Sequence, residues 1–480
     1  AVTEGLETFL AEARERTEHG WGVPRFVEEE FRKYTRCGIL QHGFARARCP
    51  DCGFERMVGL SCKFRTVCPS CLTRRMHDTA TRLVGRVLPP APYRQWVISF
   101  PKWIRFRLAC DAKLATKARQ LFVRAVFALV RRNARRAGLA RPLVCAAAFE
   151  QRFGSSLALN VHYHVVVADG VFVVDGTGDA LVFHALPPPT DAEVVALTQR
   201  VATKLLAVVQ AAHQDDEDAP DDDGLNADRH VAAVGRIRPP PADQPHIAKK
   251  RCAFWNGFSV HGDVRIHAND RLGLYRLLAY VTRPPCPEER LTRLPDGTIE
   301  LRLKRTAPGG PATIFMQPVE LVRRLASLIP PRRRHLITYY GLAASHAKRR
   351  AQLMALVPAH DHAECGHSLP SPSPSPSAPL SPSPSPAATN PNRHSRVPWS
   401  HLLRQVFGID VLQCPRCPGR MTVLAFLTDP APVAAILTHL GLPTTAPPIA
   451  PARSRSPPEP DLVPLGQDPA WDADPPWEVE

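Results

Sequence analysis

No apolar run in this 480-residue chain approaches the ~18 residues of a membrane helix. Its opening, AVTEGLETFLAEARERTEHG, lacks the basic end and apolar core of a signal peptide and reads instead as an acidic amphipathic helix. The expected location is therefore the cytoplasm. In that setting the 13 cysteines are thiols or metal ligands, not disulfides. Acid is also scarce, with 45 Asp and Glu against 61 Lys and Arg, a formal net charge of +16 and a pI near 9.6. Such a surplus suits a polyanionic partner, and nucleic acid is the first candidate. Part of the acid is concentrated in HQDDEDAPDDDG, residues 213–224. This loop reads as a solvated insertion, or else as a charge mimic covering a basic groove.

The 51 prolines divide the chain. SLPSPSPSPSAPLSPSPSPAATNPN, from Ser368 to Asn392, favours extended polyproline conformations and cannot bury a core. The expected organisation is a zinc-binding, DNA-docking domain over 1–88, a catalytic domain over 89–352 and a Pro/Ser-rich linker over 353–396. A small CxxC segment over 397–445 and a disordered tail over 446–480 follow.

Residues 49–71 read CPDCGFERMVGLSCKFRTVCPSC. Two C-x2-C knuckles fifteen residues apart have the spacing of a zinc ribbon, with Cys49, Cys52, Cys68 and Cys71 completing one tetrahedron. Cys37, His42 and Cys62 are left over and could form part of a second site, with His77 a further candidate. Lys63, Arg65, Arg74 and Arg75 put positive charge on the ribbon, as a DNA-docking module needs. The later knuckle, Cys414 and Cys417, has no obvious second pair.

The segment FEQRFGSSLALNVHYHVVVADGVF reads as two strands joined near Gly154–Ser156. Alternation puts His162 and His164 on one face. The hairpin sets Gln151 opposite His162, whereas a slip of one residue would put Glu150 there. Two imidazoles and an oxygen on a flat sheet leave open metal positions for phosphate and water. Further on, NDRLGLYRLLAYVTRPP reads as a helix capped by Asn269 or Asp270 and stopped by Pro284. Leu274, Leu277, Leu278 and Val281 form its apolar stripe. Tyr280 lies at the stripe's edge between Arg276 and Arg283, a phenol placed between two phosphate-binding groups. Tyr275 points to the other flank. Arg332, Arg333 and Arg334, near Tyr339 and Tyr340, read as a basic segment for DNA backbone.

The cysteine segment, the His162-Tyr163-His164 strand, the LLAYVTRPP helix and the late IDVLQCPRCPGRM resemble, in that order, the IS91 family of rolling-circle transposases. That family belongs to the HUH endonucleases, named for a His-hydrophobic-His strand. The resemblance implies an α+β fold, with a HUH-type antiparallel sheet and packed helices behind a small zinc-ribbon domain. It implies Zn2+ as a structural ion and Mg2+ or Mn2+ on the histidine pair with Gln151, although imidazole alone would suit zinc. It also implies attack by Tyr280 on single-stranded DNA at element ends, giving a 5′-phosphotyrosine link, in the bacterial cytoplasm at the nucleoid. Members with two tyrosines space them four apart; here that upstream position is Arg276, so a single nucleophile is expected. Two other readings are a non-catalytic zinc-ribbon DNA-binding regulator and a plasmid replication initiator or relaxase of the same class.

Overall fold

The valine-rich stretches form the centre of an antiparallel sheet, and the leucine-striped stretches form helices packed on it. The computed structural model describes residues 1–217, 244–285, 288–303, 311–357 and 408–453, apart from 18 and 65, together with 400 and 402–404. The expected linker lies almost wholly outside the described residues, as do most of the acidic loop, most of the tail and Arg65.

Helices α1 (Val2–Arg16) and α2 (Arg25–Tyr34) lead into the hairpin β1 (Phe44–Arg48) and β2 (Glu55–Gly59), then α3 (Pro69–Arg86). Strand β3 (Tyr93–Ser99) is followed by α4 (Lys102–Cys110) and α5 (Ala112–Arg136). The hairpin β4 (Cys145–Phe153) and β5 (Leu159–Ala168) comes next, with a small separate hairpin, β6 (Gly170–Val174) and β7 (Leu181–Ala185). After α6 (Asp191–Glu217) come β8 (His246–Lys249), β9 (Cys252–Trp255), β10 (Phe258–His261) and β11 (Arg265–Ile266). Helix α7 (Arg271–Val281) precedes a three-stranded sheet of β12 (Leu291–Arg293), β13 (Ile299–Arg302) and β14 (Thr313–Met316). Then follow α8 (Pro318–Leu328), β15 (Ile337–Gly341), α9 (Arg350–Ala355), β16 (Thr422–Leu427) and α10 (Pro430–His439).

The main sheet runs β15-β4-β5-β3-β10-β9-β8, with β11 added beside β3. Because side chains alternate along β5, Val161, Tyr163, Val165 and Val167 enter one core, shared with α4, α5 and α6. Val166 and Ala168 enter a second core, under α3 and α7, and the histidines share that face. The Asp111 carboxylate caps α5 by accepting from the backbone N–H of Lys113 and Leu114. Asp270 caps α7 by accepting from Gly273, and the stripe Leu274, Leu277, Leu278 and Val281 is buried as the sequence predicts.

Both ends of the chain pack in ways that sequence order hides. Leu6, Phe9, Leu10 and Phe31 of the first two helices share a core with Ile299, Leu301, Leu321 and Leu325. Strand β16 pairs antiparallel with β1, from Phe44↔Leu427 to Arg48↔Thr422, so β1 is central in a three-stranded sheet. Val433 and Leu437 of α10 close over Phe44.

One buried charge cluster ties the sheet to its flanks. Glu150 accepts from Arg334 at 3.0 Å and from Arg152 at 3.4 Å, and all three are buried. Arg334 also donates to the carbonyls of Leu108 and Ala109, and Arg152 donates to those of Ala109 and Leu328. Replacing Glu150 with Gln would leave two buried guanidiniums without a counter-charge, at a cost of about 3–5 kcal/mol. A thermal melt should show that loss as a large drop in midpoint.

Candidate active site and cysteine centres

The cysteines form two four-thiol sets. Cys37, Cys62, Cys68 and Cys71 make one, and Cys49, Cys52, Cys414 and Cys417 the other, with the sulfurs of each set within 4.8 Å of one another. Sulfur separations of 3.5–3.7 Å in the first set and 3.5 Å across the second are far longer than a disulfide. They fit the edge of a tetrahedron with Zn–S near 2.3 Å, roughly 3.8 Å. The donor sets thus fit structural zinc, and Arg74, donating to the Cys71 sulfur at 3.4 Å, favours the thiolate.

This pairing corrects the ribbon expected from spacing. Cys49 and Cys52 sit on the turn of the β1–β2 hairpin, where Gly53 donates to the Cys49 carbonyl and Cys49 to that of Phe54. Strand β2 then runs five residues away from that tip, roughly 17 Å of extended chain. Cys68 and Cys71, at the start of α3, therefore lie beyond reach of the tip and join Cys37 and Cys62 instead. His42 is exposed and belongs to neither set, and His77 contacts the Tyr275 hydroxyl. The late knuckle has the partner pair it seemed to lack. Gly419 permits the approach, since a Cβ there would come within 2.0 Å of the Asp51 carboxylate.

On the second face of the sheet, the register pairs Gln151 with His162 and His162 with Ser99. The hairpin register chosen from sequence is the observed one, and Glu150 points away into its arginine cluster. The imidazoles of His162 and His164 lie 4.9 Å apart, centroid to centroid, at 68°. Both are buried, and burial, as the largest cause, pushes His162 down to about 4 and His164 well below the ordinary histidine range. Neutral rings keep a lone pair for a metal. The other nitrogen of each ring has a partner: His162 Nδ1 meets the Asn160 carbonyl at 2.9 Å, and His164 Nδ1 meets Gln95 Nε2 at 2.6 Å. His164 Nε2 and the Oε1 atoms of Gln151 and Gln95 are buried without a hydrogen-bond partner among the described residues. Buried polar atoms left bare are costly unless something fills the space. Two imidazoles and one amide oxygen form a donor set that a divalent cation fits.

Helix α7 brings Tyr280 to this face. Its ring stands perpendicular to His164 at 6.0 Å, and the Tyr280 carbonyl accepts from Gln151 Nε2 at 3.0 Å. The Arg283 guanidinium lies 4.2 Å from the Tyr280 ring centroid. Arg276 is exposed. Tyr275 turns toward α3 and His77, the opposite flank, as helical phase predicts.

The basic candidates separate. Lys63 and Arg75 are exposed, and Arg75 donates to the Lys63 carbonyl. Arg333 is exposed, and Arg332 pairs with Glu29 at 2.5 Å. Arg334, expected to contact DNA, is instead buried and committed to Glu150, because the turn before β15, closed by Arg334 N–H on the Pro331 carbonyl, brings it to the end of α4. The sequence reading missed Gln95, Ser99 and Asn160. Their only signal was a polar residue breaking an otherwise apolar strand.

A sheet-borne histidine pair facing a phenol, in a basic chain with four-cysteine centres, has the make-up of an enzyme that cuts and joins DNA. Residues 146–351 match the family described as "Putative transposase", and residues 7–100 match the transposase zinc-binding domain of the IS91 type. The two matches indicate a transposase and are consistent with the IS91 family. Searches of curated proteins and of solved structures returned no match.

Proposed function

We propose that this transposase nicks and rejoins single-stranded DNA through a 5′-phosphotyrosine link to Tyr280, in rolling-circle transposition of an insertion sequence. The observation that carries this reading is the meeting of Tyr280, Arg283, His162, His164 and Gln151, from segments far apart in the chain. His162, His164 and Gln151 would hold Mg2+ or Mn2+, which would provide Lewis-acid polarisation of the scissile phosphate. The Tyr280 oxygen attacks phosphorus, the phosphorus–O3′ bond breaks, and the 3′ oxygen leaves as a hydroxyl after gaining a proton. The phenol proton passes to water as the new bond forms, water returns one to the 3′ oxygen, and Arg283 over the ring favours the developing phenolate. Strand joining is the reverse step and needs no nucleotide cofactor, because the phosphodiester energy stays in the tyrosyl ester. Lys63, Arg74 and Arg75 would hold the DNA backbone.

The test is incubation with single-stranded oligonucleotides from the element's ends plus Mn2+, followed by a denaturing gel. A DNA-linked protein band that requires the metal and is lost in His162→Ala supports the reading. Binding with no adduct under any metal would favour the non-catalytic regulator.

Gln95 sets which His164 nitrogen is available. While Gln95 Nε2 donates to Nδ1, the His164 proton sits on Nε2; a half-turn of the amide makes Oε1 the acceptor and frees the Nε2 lone pair. Gln95→Leu removes that support. Its affinity for Mn2+, measured by calorimetry, should fall roughly 10–100-fold.

A further inference from the structure

Beside the nucleophile lies a cavity of about 270 Å3, roofed by the end of α7, walled by β4 and closed on one side by α3. It is just below the size of typical small-molecule pockets, ~300–1,000 Å3, and suits a planar ring system better than a length of chain. Phe149, Phe153 and Val281 give it apolar walls, and Arg75 of α3 also lines it. Thr66 is buried in the same wall, and its hydroxyl has no partner among the described residues. Besides Gln151 Oε1, which faces the histidine pair, the Thr66 hydroxyl is the lining's unpaired group among the described residues, and a hydroxyl beside apolar and aromatic walls matches what the edge of a nucleobase offers. Of the cavity's arginines, the buried Arg152 is held by Glu150 and by backbone carbonyls, while Arg75 and Arg283 would meet the phosphates flanking a base. Arg283 links cavity and chemistry: its guanidinium is 4.2 Å from the Tyr280 ring and 5.6 Å from that of Phe153.

We propose that this cavity receives one unstacked base of the nucleotide next to the scissile phosphate, so that a single base sets the cutting register. The proposal rests on the tyrosine reading above. It also gives the first cysteine centre a part in cleavage, because Thr66 and Arg75 lie just before and just after the Cys68–Cys71 knuckle.

The test uses the full chain carrying Tyr280→Phe, and end-derived single-stranded oligonucleotides with one abasic residue moved along the strand. One position within a nucleotide of the cut should lose roughly tenfold in affinity. Thr66→Val and Phe153→Leu should shrink that penalty. Thr66→Val keeps the side-chain shape, so it decides the matter if Phe153→Leu fails to melt like the parent. The parent chain on unmodified oligonucleotide, scored for adduct, tests the underlying reading separately. A flat abasic scan alongside a normal adduct overturns the pocket and leaves the tyrosine chemistry standing. A penalty unchanged in both variants also overturns it, because the base is then read elsewhere.

Discussion

Tyr280→Phe should abolish the protein–DNA adduct, lowering its rate of formation by on the order of 10^4 or more, as loss of a nucleophile does. The phenyl ring would still stand against His164 and beneath Arg283, so folding and DNA affinity should change little. Tyr275→Phe makes the opposite case. Its hydroxyl contacts His77 on α3, across the helix from the histidine pair, and its loss should leave the adduct within a few-fold of the parent. Gel analysis of the two variants side by side distinguishes them. An adduct that survives in Tyr280→Phe and vanishes in Tyr275→Phe would move the nucleophile to the other flank of α7.

The second large effect concerns the centre shared by distant segments. Cys414→Ser with Cys417→Ser should lower bound zinc from two ions per chain to one, measured by atomic absorption. Structural zinc contributes on the order of 10 kcal/mol of apparent binding free energy. The attachments that remain include one strand pairing, the contact of Val433 and Leu437 with Phe44, and a few hydrogen bonds such as those of Ala450 with Thr3 and Arg453 with Thr8. Residues 408–453 should therefore become open to limited proteolysis while the central sheet stays protected. Cys68→Ser should remove the other ion and loosen the start of α3, which packs against α7. That variant should lose adduct formation as well as zinc. Two zinc ions retained in the Cys414/Cys417 double variant would disprove the cross-chain pairing.

What the sequence made legible followed local rules. A two-residue period and one turn cluster were enough to set Gln151 opposite His162, and helical phase separated Tyr280 from Tyr275. The cysteines obeyed a long-range rule that spacing does not contain. Knuckles fifteen residues apart in the chain point to opposite ends of a strand, and the true partner of Cys49 lies 368 residues away. In the run Arg332-Arg333-Arg334 the three residues look alike, yet only the last finds a buried carboxylate. Gln95 and Ser99 resemble interruptions of a strand until β5 is laid beside β3.

The order β16-β1-β2 also has a meaning for biosynthesis. The middle strand of that sheet is made more than 370 residues before one of its neighbours. At roughly 5–20 residues per second, Cys49 waits about 20–70 s for Cys417 to leave the ribosome, 368 positions later. Until then half of a zinc site and the edge of β1 stand open. A chain that stops short of residue 414 can fill the Cys37 centre but never the Cys49 centre. The second centre thus needs a chain made through residue 417: a product stopped before residue 414 could complete only the Cys37 centre and would leave an unpaired strand edge open to pairing with another chain.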